Sequence, residues 1–140
     1  MQKSLVAKIV FFIALAYTMT LTWFSLIRLN FRVHLGDFNP TDKMLHAGAY
    51  LFLVLFWKLF FILKKDNFSS YKPNLLWVGL GCFLFGMLIE VLQGTLTSYR
   101  TPDWWDIVAN STGVILAVLI FWLLAPKIER WVQNVKIKPY

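Results

Sequence analysis

Asp42, Lys43, His46 and Tyr50 form one short run of ionisable and hydroxyl side chains. Glu90 and Gln93 form a second, and Arg100, Asp103, Asp106 and Asn110 a third. These types suit acid–base and anion-binding chemistry. His46 and Glu90 could exchange protons, with Asp106 orienting the imidazole. Lys43 and Arg100 suit a phosphate or carboxylate. The carboxylates alone would permit glycosidic or phosphoryl chemistry, and nothing in the sequence selects either. We take His46, Glu90, Asp103 and Asp106 as candidate catalytic residues. Asp42, Lys43, Tyr50, Gln93, Arg100 and Asn110 are candidate substrate-binding residues. His46, Glu90, Asp103 and Asp106 would be the ligands of any metal, but no short ligand-pair motif supports one, and none is assigned. No cofactor is identified.

Each residue also has a plainer reading. Asp103 would cap a helix in Pro102-Asp103-Trp104-Trp105. Lys43 would pair with its neighbour Asp42, which leaves Arg100 as the charge partner of the remaining acids. Asn110 would join helices, Tyr50 would pack, and Trp104 with Trp105 would mark a membrane interface. Glu90 resists such readings, because a carboxylate inside an apolar helix is costly and is usually turned inward.

The elements that carry these residues follow from composition. Of 140 residues, 59% are hydrophobic and 15% charged, below the quarter or so typical of soluble domains. The 13 Phe and 7 Trp exceed what one soluble core of this size would hide. Four apolar stretches reach the length of about 20 residues that a bilayer requires: Ile9 to Ile27, Met44 to Leu63, Leu75 to Leu96 and Ile107 to Ala125. The first outruns a signal peptide's apolar core and is read as a retained helix. The expected fold is an all-α membrane protein with four transmembrane helices in a small bundle, one domain over residues 1–140. A basic interfacial tail is expected over 126–140. Cys82, the only cysteine, lies in an apolar run and reads as a small core residue.

Basic residues set the orientation. Both termini and the loop after the second helix carry ten Lys and Arg, the opposite side four, so both termini are expected in the cytoplasm. The net charge of +7 then meets anionic lipid, and no nucleic-acid surface is expected. With this topology all three polar runs lie at one depth, near the non-cytoplasmic surface. Helical spacing sharpens the picture. Asp42, His46 and Tyr50 share a face, as do Asp106, Asn110, Gly113 and Ala117. Gly79, Cys82 and Gly86 continue the face of Glu90 with small residues, which let membrane helices approach closely. A channel is disfavoured, because the inner half of such a bundle is apolar.

Thr41-Asp42-Lys43-Met44-Leu45-His46-Ala47-Gly48-Ala49-Tyr50 resembles the D-K-x-x-H-x-x-x-Y opening of the VanZ-like family. Glu90-Val91-Leu92-Gln93, then Arg100, Asp103, Asp106, Asn110 and Gly113, resemble its second block. The two blocks cover about a third of the chain, in the expected order. The resemblance implies a bacterial membrane protein, expected in the inner membrane. The founding member of that family is associated with resistance to the glycopeptide teicoplanin, but many relatives lie outside resistance clusters. Two functions are in view. One is an outward-facing polar site that binds or modifies a lipid-linked or cell-envelope molecule, such as a glycan. The other is a non-enzymatic accessory protein whose polar cluster is structural or binds a partner. Membrane lipids are expected partners in both, and the oligomeric state is open.

Overall fold

The computed structural model describes residues 2–27, 40–64, 71–96 and 103–136. They form four helices: α1 Gln2–Leu26, α2 Pro40–Lys64, α3 Tyr71–Leu96 and α4 Trp104–Lys136. Each contains a segment long and apolar enough to cross a membrane: Leu5–Leu26, Thr41–Lys64, Tyr71–Leu96 and Trp104–Trp131. Trp23, Leu45, Trp77 and Leu123 stand exposed on the flanks. So many large apolar side chains on one small surface suit hydrocarbon and not water. The chain is an all-α, multi-pass membrane protein.

The helices outrun the apolar stretches. They begin at Gln2, Pro40, Tyr71 and Trp104, where hydropathy alone suggests Ile9, Met44, Leu75 and Ile107. Hydropathy marks the part that sits in hydrocarbon, whereas a helix propagates until its end groups reach a cap or water. Pro40 suits a first helical position, where an N–H would be orphaned anyway. Asp42 in the first turn of α2 complements the helix dipole. Asp103 caps α4, its Oδ1 accepting the Trp105 N–H at 2.8 Å. α4 also runs through Pro126 to Lys136, so the basic tail is helical up to that residue.

The chain runs up and down, so α2 and α4 are parallel to each other. Lys43 meets Asp106, His46 meets Asn110, and Ala47 meets Gly113, in steadily advancing register. α3 runs opposite to both, with Gly86 against Tyr50 and Gly79 against Val118. The most extensive packing is α2 on α4, then α1 on α2, while α1 meets α3 only sparsely. The apolar core between α2, α3 and α4 holds Tyr50, Leu53, Val54, Val78, Cys82, Val114 and Ala117. α1 attaches through aromatic contacts of Phe11 and Tyr17 with α2, and through the Tyr17 hydroxyl donating to the Ala49 carbonyl at 3.0 Å.

Gly113 sets the distance between α2 and α4. A Cβ there would fall on the carbonyl oxygen of Ala47, which is backbone and cannot swing aside. Gly48 has no atom within 4 Å of where its Cβ would be. Gly113→Ala should therefore destabilise the fold by about 1 to 3 kcal/mol through overpacking. Gly48→Ala should be neutral or slightly stabilising through helix propensity. Thermal unfolding of the two variants in detergent checks this, and equal midpoints would show that α2 and α4 do not meet at Gly113.

Candidate functional site

The N-terminal ends of α2 and α4 and the C-terminal end of α3 share one end of the bundle. Two helix contacts fix the level. Tyr50 follows His46 by one turn and packs on Gly86, which precedes Glu90 by one turn. His46 and Glu90 therefore stand at similar height above that contact. Gly113 follows Asn110 by a turn and lies against Ala47, beside His46, which brings α4 to the same level.

Lys43 is the centre of the layer. Its side chain is 10% exposed, and its ammonium forms ion pairs with both Asp103 and Asp106. Asp42 is more distant, at 3.6 Å. Adjacency in sequence is therefore a poor guide to pairing here. Neighbouring helix residues point some 100° apart, so Lys43 reaches across to α4 while Asp42 stays at the rim. The role expected of Arg100, partner to the acids, is filled for Asp103 and Asp106 by Lys43. Arg100 itself lies outside the described residues.

His46 follows one turn below Lys43. Its Nδ1–H donates to Asn110 Oδ1 at 3.1 Å, and its Nε2 lies 3.6 Å from Asp106 Oδ1. With Nδ1 engaged, Nε2 is the nitrogen left to take or give a proton. Asp106 thus faces two cations or would-be cations from its buried position, only 5% exposed. Asn110, also buried, both joins helices and fixes the imidazole.

Glu90 and Gln93 are each 2% exposed, so the polar stripe of α3 faces the interior. Gln93 donates its Nε2–H to the Ser25 carbonyl at 2.9 Å, which ties α3 to the end of α1. Tyr50 is 2% exposed, and its ring packs on Gly86 and beside Phe85. Its hydroxyl lies within electrostatic range of Glu90 and Asp106 and has no hydrogen-bond partner among the described residues. The layer is thus two-tiered, ionic at Lys43, Asp103 and Asp106, with His46, Asn110, Tyr50 and Glu90 beneath.

Metal-ligand atoms converge in a set different from the one suggested by sequence. One atom each of Asp42, His46 and Asp106 lies within 4.8 Å of the others. Glu90 is not among them, and Asp103 is held by Lys43. The Lys43 ammonium already supplies the cation that Asp106 requires, so a divalent ion would have to displace it.

A second polar group escapes sequence reading. One of the ten basic residues counted with the termini is Lys58, near the end of the second apolar stretch. It is in fact 1% exposed and points into the bundle at the opposite end. Its ammonium donates to the Tyr71 carbonyl at 2.9 Å and to Asn74 Oδ1 at 3.1 Å, and it lies 3.7 Å from the centre of the Tyr71 ring. The Tyr71 hydroxyl donates in turn to the Phe121 carbonyl at 3.1 Å. The end of the bundle opposite the polar layer, expected to be apolar, is therefore not wholly so. The signal available was a lysine more than one turn inside an apolar helix. Leu53, Val54, Val78 and Val114 still separate the two polar ends with apolar core.

Four helices able to span a membrane, joined at one end by a buried ionic layer, define a small multi-pass membrane protein with a polar cluster between its helices. The chain belongs to the VanZ/LLP1 family, which matches residues 2–125. No curated protein and no solved structure shows a significant match.

Two outcomes test the ionic layer. Lys43→Met would leave Asp106 buried without its ammonium and should cost about 3 to 5 kcal/mol. Lys43→Met with Asp106→Asn should recover a large part of that loss, as measured by thermal unfolding of the single and double variants. The second outcome is a pH dependence. Burial tends to raise the Asp103 carboxyl, but the Lys43 ammonium and the Trp105 N–H outweigh it and hold the group below the usual carboxylate range. A depressed carboxylate contributes stability that is present above its unfolded pKa, near 4, and is lost as pH falls through its folded value. Unfolding midpoints should therefore fall below about pH 4, and Asp103→Asn should flatten that part of the curve.

Proposed function

We propose that the polar layer at the α2, α3 and α4 ends faces away from the cytoplasm. There it binds or modifies a lipid-linked or cell-envelope molecule of the bacterial inner membrane. The observation that carries this reading is the Tyr50 hydroxyl. It is buried beside Glu90, beneath the His46–Asp106 pair, with no hydrogen-bond partner among the described residues. A buried hydroxyl without a partner costs about 1 to 3 kcal/mol, and fold stability alone gives no reason to keep one there. Within electrostatic range of two buried carboxylates, Glu90 and Asp106, it supplies a donor for a polar ligand. His46, Glu90, Asp103 and Asp106 are the acid–base candidates. Lys43, Asp42, Tyr50, Gln93 and Asn110, with Arg100 from the sequence between α3 and α4, are the binding candidates. Family membership supports a link to glycopeptide resistance of the teicoplanin type.

One observation favours the accessory reading. Lys43 neutralises Asp103 and Asp106, and Asp103 also caps α4, so part of the layer braces the fold. His46 touches that brace only through Asp106, at 3.6 Å, and together with Glu90 and Tyr50 it separates the two readings. In bacteria that express the protein, Glu90→Gln, His46→Ala and Tyr50→Phe should abolish any gain in teicoplanin tolerance and any change in envelope lipids. Membrane levels of the variants should match the parent. If all three behave as the parent does, the layer is structural and the accessory reading stands. Orientation is checked with a cysteine at Ser98 or Ser70 in a Cys82→Ala background, since only Ser98→Cys should react with an impermeant reagent added outside.

A further inference from the structure

The sparse seam between α1 and α3 leaves an open cavity of about 290 Å³ on the flank of the bundle. Thr18 of α1, Leu53 and Trp57 of α2, and Val78, Cys82 and Phe85 of α3 line it. We propose that this cavity seats one acyl chain of a membrane glycerophospholipid whose headgroup lies at the polar layer. The inference rests on the site reading above and names its ligand class as a lipid presented from the bilayer.

The wall selects hydrocarbon. The Thr18 hydroxyl donates to the Ala14 carbonyl at 2.8 Å and accepts the Trp57 indole N–H at 3.1 Å. The wall's hydroxyl and indole are therefore already engaged, whereas a buried water needs two to four polar partners. All the lining residues lie within the spanning segments, so the opening meets lipid tails.

Size and depth fit one chain. The cavity sits at the small end of ligand pockets, which run from about 300 to 1,000 Å³, and would not hold a bulky ring system. Phe85, Cys82 and Val78 precede Glu90 by five, eight and twelve residues, while Leu53, Trp57 and Phe61 follow His46 by seven, eleven and fifteen. At about 1.5 Å per residue the cavity runs from roughly 8 to 22 Å beneath the polar layer. It begins among the tails of the nearer leaflet and ends past the midplane of a hydrocarbon core of about 30 Å, a reach that suits one extended acyl chain. On the cavity wall, the ring of Phe85 lies beside Tyr50, whose hydroxyl is within electrostatic range of Glu90. A lipid with its tail in the cavity would therefore bring its headgroup to the proposed site.

Gly81 supplies the test, because it lines the cavity and a Cβ on it meets no atom within 4 Å. Gly81→Phe should fill the space without disturbing the fold. The protein is placed in phosphatidylethanolamine and phosphatidylglycerol vesicles that contain a trace of phosphatidylglycerol with a diazirine midway along one acyl chain. After illumination, adducts are located by peptide mass spectrometry. The expected result is severalfold stronger labelling at Cys82 and Phe85 than at Leu84, which faces lipid on the same helix. Gly81→Phe should abolish the labelling of Cys82 and Phe85 and spare that of Leu84. Equal labelling at all three positions, unaffected by Gly81→Phe, would overturn the proposal. If Gly81→Phe then also dissociates a larger assembly in native mass spectrometry, the occupant is a second copy of the chain. The two readings fail separately. Lost contrast removes the acyl seat and leaves the polar site standing, whereas intact contrast with silent Glu90, His46 and Tyr50 variants removes the polar site alone.

Discussion

An ammonium group in a membrane protein must be paired inside the protein or reach water, and Lys43 is paired. Its ion pairs with Asp103 and Asp106 join the first turn of α2 to the cap and first turn of α4. Without that cation, Asp106 would be a nearly buried charge in a medium that solvates charge poorly. With it, the two helix ends are fixed in register, and the contacts below follow. His46 comes opposite Asn110, and Ala47 comes opposite the one residue whose missing Cβ allows the backbones to touch. The ionic contact sets where α2 and α4 meet, and Gly113 sets how closely. Neither device would place the site without the other. A clamp on widely spaced helices would leave His46 out of reach of Asn110, and close packing without a clamp would leave register open to slippage.

The sequence displays the four spans because the cost of exposing polar groups to lipid leaves long apolar runs. It displays the inward stripes because Glu90, Asp106 and Asn110 have few other places to go. Pairing is less legible. Asp42 is adjacent to Lys43 in sequence, yet the acids that engage its ammonium more closely come from residues 103 and 106. That choice depends on the register of two helices joined through a third, which local spacing does not encode. Lys58 is hidden for a related reason. Counted as charge at a helix end, it looks like an orientation signal, whereas the fold draws it inward onto Tyr71 and Asn74. Long side chains near membrane ends can point either way, and only the packing around them decides.

The bundle is also unequal in tightness, and the inequality bears on the site. α2, α3 and α4 enclose the shared core and carry the polar layer on close contacts at Gly79, Gly86 and Gly113. Groups held by such contacts have little freedom to drift, which is what a site needs if His46 and Glu90 are to keep their geometry. α1 stands outside that rule. It leans on α2 through aromatic rings and meets α3 only sparsely, with Gln93 holding the Ser25 carbonyl. Below that tie the seam is open. Closing it would add van der Waals contact between α1 and α3 but would remove the lipid contact that takes its place. On the reading proposed above, an open seam beneath the polar layer would give a lipid a lateral path toward groups that a water-soluble ligand would not reach from the side. The rigid part of the bundle would then hold the chemistry, and the loose part would admit what the chemistry acts on.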